Sequence, residues 1–241
     1  MLIEVCASST SSIKNAALAG ADRIELCSAL GVGGITPSKG LIAEAVALDL
    51  LPIYCLIRPR EGHFIYTDSE VNVISQDVLV AKEMGCSGVV LGALTPDFNL
   101  DNKRLEHWVS LAGSMSLTFH RAFDVVTSPI EALQILIDLG FNSVLTSGQE
   151  EKAIDGLINL KNWHNNNLGA QITIMPGSGI NASNCLEFKK YGFKALHLSG
   201  SQLLPSISIP EKVNSKISFL HQEIGESNQK NIRAVIDKLT N

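Results

Sequence analysis

Eight times along this chain a short apolar run is followed by a longer amphipathic one, and that alternation restricts the folds open to it more than any other feature. The short runs are Leu2 to Cys6, Arg23 to Cys27, Ile53 to Ile57, Gly88 to Leu91, Met115 to His120, Ser143 to Thr146, Ile172 to Met175 and Ala195 to Leu198. Their length predicts strands. The intervening patterns, such as Val71, Ile74, Val78, Leu79 and Ala81 or Ile130, Leu133, Leu136 and Ile137, have the spacing of one buried helix face. Repeated βα units with no break in composition predict an α/β chain closed into a (β/α)8 TIM barrel, one domain over residues 1–241. The segment 201–227 reads as irregular, and Ile232, Val235, Ile236 and Leu239 predict the last helix after it. A doubly wound open sheet is the alternative, disfavoured because no G-x-G-x-x-G follows the first strand.

Turn chemistry agrees with these boundaries. Ser128-Pro129-Ile130-Glu131 predicts an N-cap, an N1 proline and a capping-box Glu, and Thr36-Pro37 is expected to open another helix in the same way. Gly20, Gly85, Gly140 and Gly192 each stand between a helix pattern and the next strand, where a left-handed residue is wanted.

The 24 acidic and 19 basic residues form no basic stripe, which argues against nucleic acid as a partner. No signal-peptide pattern opens the sequence and no apolar run is long enough to cross a bilayer, so a cytoplasmic protein without a membrane partner is expected. Five cysteines with no C-x-x-C spacing predict reduced thiols rather than a disulfide framework or a structural zinc site.

Side chains alternate along a strand, so Glu4 and Cys6 share one face of the first strand, and Arg23, Glu25 and Cys27 share one face of the second. The same parity groups Tyr54, Leu56 and Arg58, then Thr118 and His120, then His197 and Ser199. If the apolar parity packs against the helices, Glu4, Glu25, Arg58, His120 and His197 converge inside the barrel. Buried charge is unfavourable unless paired, so such a cluster marks either a reactive site or a self-contained salt-bridge network. As a site, Glu4 or Glu25 would serve as base, His120 or His197 as proton donor and Arg58 as anchor for an anionic or phosphorylated metabolite. The turns after strands seven and eight, with Gly177, Gly179, Ser199 and Gly200, could cradle the anion through backbone N–H groups, although glycine turns are also ordinary loop chemistry. Cys6 and Cys27, inward and at matching strand ends, are the best soft-metal pair and suit Cu(I); the alternative is that they pack as small hydrophobes. His63, His107, His164 and His221 read as surface residues, and Arg58, Arg60 and Arg121 as anion contacts or, instead, as neutralising partners of Glu4, Glu25 or Asp124.

Several segments carry a family resemblance: Glu4-Val5-Cys6, Gly20-Ala21-Asp22-Arg23-Ile24-Glu25-Leu26-Cys27, Gly33-Gly34-Ile35-Thr36-Pro37-Ser38, Ile57-Arg58-Pro59-Arg60, Phe119-His120-Arg121-Ala122-Phe123-Asp124 and Leu145-Thr146-Ser147-Gly148-Gln149. In order and content they resemble the CutC family, named for copper homeostasis, from residue 2 to about 200. The resemblance implies a (β/α)8 barrel, a cytosolic location, a homo-oligomer and a role in copper handling through Cu(I) binding. It implies no particular reaction. Glu61 and His63 depart from the Gly and Asp more usual in the family, and Pro176 replaces a small residue before Gly177.

Overall fold

The computed structural model describes residues 1–166 and 170–240. Eight parallel strands, β1 (Leu2–Ala7), β2 (Arg23–Leu26), β3 (Ile53–Leu56), β4 (Gly88–Leu91), β5 (Ser116–Phe119), β6 (Ser143–Thr146), β7 (Thr173–Pro176) and β8 (Ala195–Leu198), form a nearly closed (β/α)8 barrel. The helices are α1 (Thr10–Ala19), α2 (Lys39–Ala47), α3 (Asp68–Glu83), α4 (Asn102–Ala112), α5 (Pro129–Asp138), α6 (Leu157–Asn165), α7 (Cys185–Lys190) and α8 (Gln229–Thr240).

The hydrogen-bonded order runs from β7 through β6, β5, β4, β3, β2 and β1 to β8. Strands β7 and β8 lie side by side, but among the described residues no ladder joins them. The local chemistry gives a reason. Thr173 and Gly177 donate their N–H groups to Asn142 and Thr146 on the β6 side, so Ile174 and Pro176 face β8, where proline has no N–H to give. Side chains close the seam instead: Leu145, Met175 and Ala195, with Leu2 against them, pack as one cluster inside the barrel across β6, β7, β8 and β1.

The main core lies between strands and helices and holds the other parity, including Ile3, Val5, Ile24, Leu26, Ile53 and Cys55. Cys6, Cys27, Leu56 and Val90 form a separate inner cluster. The inward assignment of the polar parity therefore holds. The glycines expected after helices do adopt positive φ, from 82° at Gly192 to 88° at Gly20.

Four local expectations are corrected. Ser128 is the N-cap of α5 with Pro129 at N1, but its side chain accepts no bond. Its ψ of 78° turns the hydroxyl away, whereas Thr67, with ψ of 164°, makes a complete capping box with Glu70 at the start of α3. Helix α2 opens on Ser38 rather than at Thr36-Pro37, because the Thr36 hydroxyl accepts the Arg58 N–H. Leu79 and Ile130 are exposed, while Ile74, Val78 and Ala81 on α3 and Leu133 and Leu136 on α5 are buried. His164 is half-buried, its ring 4.7 Å from that of Phe193, whereas His63, His107 and His221 are exposed.

Helix α8 buries Ile232, Val235 and Leu239 and completes the ring. Between β8 and α8 the chain forms a short antiparallel pair, β9 (Ser201–Leu203) and β10 (Gly225–Ser227), with little regular structure between them. Ser227 ties this segment down, its N–H donating to Ser12 Oγ and its hydroxyl to the Cys6 carbonyl.

Gly88 on β4 makes room for the interior. A Cβ there would stand 2.5 Å from Tyr54 Cε1 and 2.7 Å from the Ser116 carbonyl oxygen, and the Tyr54 ring lies 4.1 Å below the Arg23 guanidinium. Gly88→Ala is expected to lower stability by about 1–3 kcal/mol through this overpacking, read from urea denaturation; an unchanged midpoint would show that Tyr54 has space to retreat.

Candidate functional site

Register builds the centre of the site. Glu4 stands beside Arg23 on β2 and beside His197 on β8, at the same level of the barrel. Each neighbour takes one carboxylate oxygen: Arg23 Nε donates to Oε2 at 2.6 Å, and His197 Nδ1 donates to Oε1 at 2.7 Å. Glu4 is fully buried. Burial pushes its carboxyl up, but the His197 hydrogen bond and the Arg23 charge outweigh that and hold it below its ordinary value.

One level nearer the strand C-termini, Cys6 stands beside Glu25. The second nitrogen of His197, Nε2, lies 3.5 Å from Glu25 Oε2. Ligand atoms of Cys6, Glu25 and His197 all fall within 4.8 Å of one another. Burial disfavours the imidazolium, but Cys6, Glu25 and the hydrogen bond to Glu4 more than reverse this, and the His197 pKa stands well above its ordinary value. Burial first, and then the Glu4 charge, push the Glu25 carboxyl up to about 7. The site therefore holds a cationic imidazole beside a carboxyl that exchanges its proton near neutrality. The Cys27 thiol is pushed well up by burial and by the proximity of Cys6 and Glu25. All five cysteines are free and buried, and Cys55, Cys86 and Cys185 belong to the outer core.

These groups open into a cavity of about 840 Å³ at the C-terminal ends of the strands, where active sites of this fold are built. Cys6, Cys27, Glu25, Arg58, His120 and His197 all line it, whereas Glu4 lies behind His197 and does not. Arg58, from the end of β3, spends its two terminal nitrogens on the carbonyls of Val32, Gly34 and Gly62. His120, at the end of β5, accepts the Ala122 N–H at Nδ1, and burial followed by the Arg58 charge pushes its pKa down to about 3.

The glycine turns divide. Gly179 and Ser199 line the cavity; Gly177 and Gly200 do not. The Gly177 N–H is used by Thr146, and a Cβ at that position would lie 2.4 Å from Leu145 Cδ1 and 3.2 Å from His197 Cβ, so this glycine gives His197 its place. Arg121 pairs with Asp124, whose carboxylate also accepts the N–H groups of Ser147 and Gln149, and Arg60 pairs with Glu70.

With the geometry in place, known proteins supply the context. The sequence profile described as the CutC family matches residues 1–202. The chain belongs to the CutC family. It is 44% identical over 201 residues to a CutC family protein of Pasteurella multocida, an alignment covering 83% of this chain and 82% of that one. A CutC family protein of Vibrio cholerae is 42% identical over 218 residues, covering 89% and 85%. Among solved structures, a CutC protein of Streptococcus agalactiae superposes with a TM-score of 0.76 at 32% identity, over 83% of this chain and 98% of that one.

In this CutC family chain, Arg23 is a residue at the centre of the candidate site that sequence reasoning did not single out. It shares the inward parity of Glu25 and Cys27, but only register reveals that it is Arg23, and not Arg58, that neutralises Glu4. Phe64, which lines the cavity from the loop after β3, carried no sequence signal at all.

Removing the central charge tests this arrangement. Glu4→Gln is expected to lower stability by about 3–5 kcal/mol near pH 6, because Arg23 and His197 remain buried without their shared partner. Glu4 has a depressed folded pKa, so its contribution is present above its ordinary value of 4.5 and is lost as pH falls through the folded one. His197 has a raised folded pKa, so its contribution is complete below 6.5 and is lost as pH rises through the folded value. Urea denaturation of both proteins from acid to neutral pH should show the gap narrowing in acid; a gap independent of pH would contradict the ion-pair account.

Proposed function

We propose that this protein is a cytosolic Cu(I)-binding protein of copper homeostasis, holding the ion at the Cys6 and His197 end of its cavity. The observation that carries this reading is the convergence of the Cys6 sulfur, the His197 imidazole and a Glu25 oxygen within 4.8 Å, with the far side of His197 bonded to Glu4. A sulfur and an imidazole nitrogen are donors suited to Cu(I), and a carboxylate behind the imidazole is the usual support of a metal-binding histidine. Cys27 stands in the same inner cluster as Cys6 and is the second thiol within the site. Five reduced thiols fit a reducing compartment, and among the described residues no helix is long and apolar enough to cross a membrane. The Streptococcus agalactiae relative was solved as a candidate copper homeostasis protein.

Binding would release a proton: Cu(I) takes the place of the Nε2 proton of His197, and Glu25 is placed to receive it. Affinity should therefore rise with pH. In competition against a chromogenic Cu(I) chelator, Cys6→Ser and Cys27→Ser are each expected to weaken binding about tenfold or more, roughly the loss of one strong ligand interaction. Equal affinity for the native and doubly substituted proteins would end this assignment. The same reading includes self-association through the end of β9 and the segment between it and β10, where Leu203, Ile207 and Ile224 are more than half exposed. Light scattering is expected to give a mass above the 25.9 kDa of one chain, and a monomer alone would remove that part.

A second reading is favoured by two observations that an ion does not require. The cavity is of the size that holds small organic molecules, and Glu25, with its carboxyl near 7, sits beside a protonated His197 as a base and acid pair. On this reading Glu25 moves a proton at the substrate, His197 supplies one, and Glu4 holds His197 in position. A metabolite-library thermal-shift screen with and without Cu(I) separates the two. Stabilisation by an organic anion in the absence of copper is the expected result for the enzyme, and a response to copper alone would reject it.

A further inference from the structure

Two hydrogen-bond donors in the cavity wall have no acceptor. Arg58 Nε and His120 Nε2 are both closed to solvent and unbonded among the described residues. For His120 the tautomer follows from its neighbour: Nδ1 accepts the Ala122 N–H at 3.2 Å and so carries no proton, which places the proton on Nε2. Arg58 is 6% exposed and His120 4% exposed. The three carbonyls that Arg58 does engage are neutral, and no carboxylate among the described residues lies within 4.0 Å of its guanidinium. This is a buried cation with no carboxylate in contact among the described residues, beside a second buried donor. Folded proteins leave few such groups unsatisfied, and buried charge is ordinarily paired.

The two residues come from different strands but meet on one ring. Phe64 lies 5.0 Å from the Arg58 guanidinium carbon, measured to its centroid, and 4.7 Å from the His120 ring. All three line the cavity, and Phe64 is only half-buried. We propose that Arg58 Nε and His120 Nε2 form an oxyanion subsite for the carboxylate or phosphate group of a small organic acid, which enters by displacing the Phe64 ring. Arg58 supplies charge and one N–H; His120, kept neutral beside Arg58, supplies the other N–H and no competing acceptor at that atom. This names the substrate class for the acid–base reading and rests on that reading for the reaction, though not for the binding. Glu25 and His197 line the same cavity, so the anionic group is held by one set of residues and the reacting end is left to another.

The test uses the full-length, metal-free protein, so its outcome is independent of copper. Inorganic phosphate and malonate are titrated while the His120 side-chain nitrogens are followed by ¹⁵N NMR, with affinities from calorimetry. Before addition, His120 should show the Nε2–H tautomer, and one or both anions should move that resonance saturably. His120→Asn keeps an oxygen able to accept the Ala122 N–H but has no donor at the Nε2 position, and should bind about tenfold more weakly or worse. His120→Gln restores an N–H near that position and should recover part of the affinity. A His120 resonance unmoved by both anions would overturn the proposal, as would native affinity in His120→Asn. Binding of an anion with a failed activity screen would reject the acid–base reading alone.

Discussion

The shared carboxylate of Glu4 is the interaction on which the interior depends. Among the described residues strand β8 is laced to the barrel only through β1, and at the height of Glu4 one side chain holds both flanking strands, with Arg23 on one oxygen and His197 on the other. That bidentate use fixes the His197 ring, and the ring in turn sets what the next layer can do. Its remaining nitrogen faces Glu25 and Cys6, the two groups through which either a metal or a substrate would be engaged. Geometry passes upward through the barrel, from a pair with no access to the cavity to the residues that line it.

The charges of the interior follow the same order. Arg23 and His197 offset Glu4 and the partly ionised Glu25, so the lower part of the site is close to self-contained. Arg58 is outside this group. Its guanidinium braces the loops at Val32, Gly34 and Gly62 and lies over the Phe64 ring, with no carboxylate in contact among the described residues, an asymmetry between the two arginines that the fold alone does not require.

Much of this was legible in the sequence. All eight strands fall within a residue or two of the runs that predicted them, because short apolar stretches flanked by turn residues are an unambiguous pattern when repeated eight times. The inward parity was legible as well, since a period of two leaves only two choices and the helices claim the apolar one. What strand pattern cannot convey is lateral register. Arg23 and Arg58 share the inward parity, and pairing with Glu4 depends on Arg23 being at its level on the adjacent strand. Capping failed for a related reason: Ser128 and Thr67 both stand three residues before a Glu, and the backbone ψ of the cap decides which one forms the box. The state of His120 was also hidden, because its tautomer is set by one backbone N–H and its charge by burial and an arginine from another strand.

Among the described residues the barrel has one unlaced joint, and it borders the strand that carries His197. Pro176 removes a donor where β7 faces β8, so the ring there is held by Leu145, Met175, Ala195 and Leu2 and by Arg23 reaching the Met175 sulfur at 3.7 Å. Strand β8, which carries His197, is thus fastened by main-chain bonds on its β1 side alone among the described residues, and the Glu4 carboxylate, gripping His197 across that side, is its cross-brace.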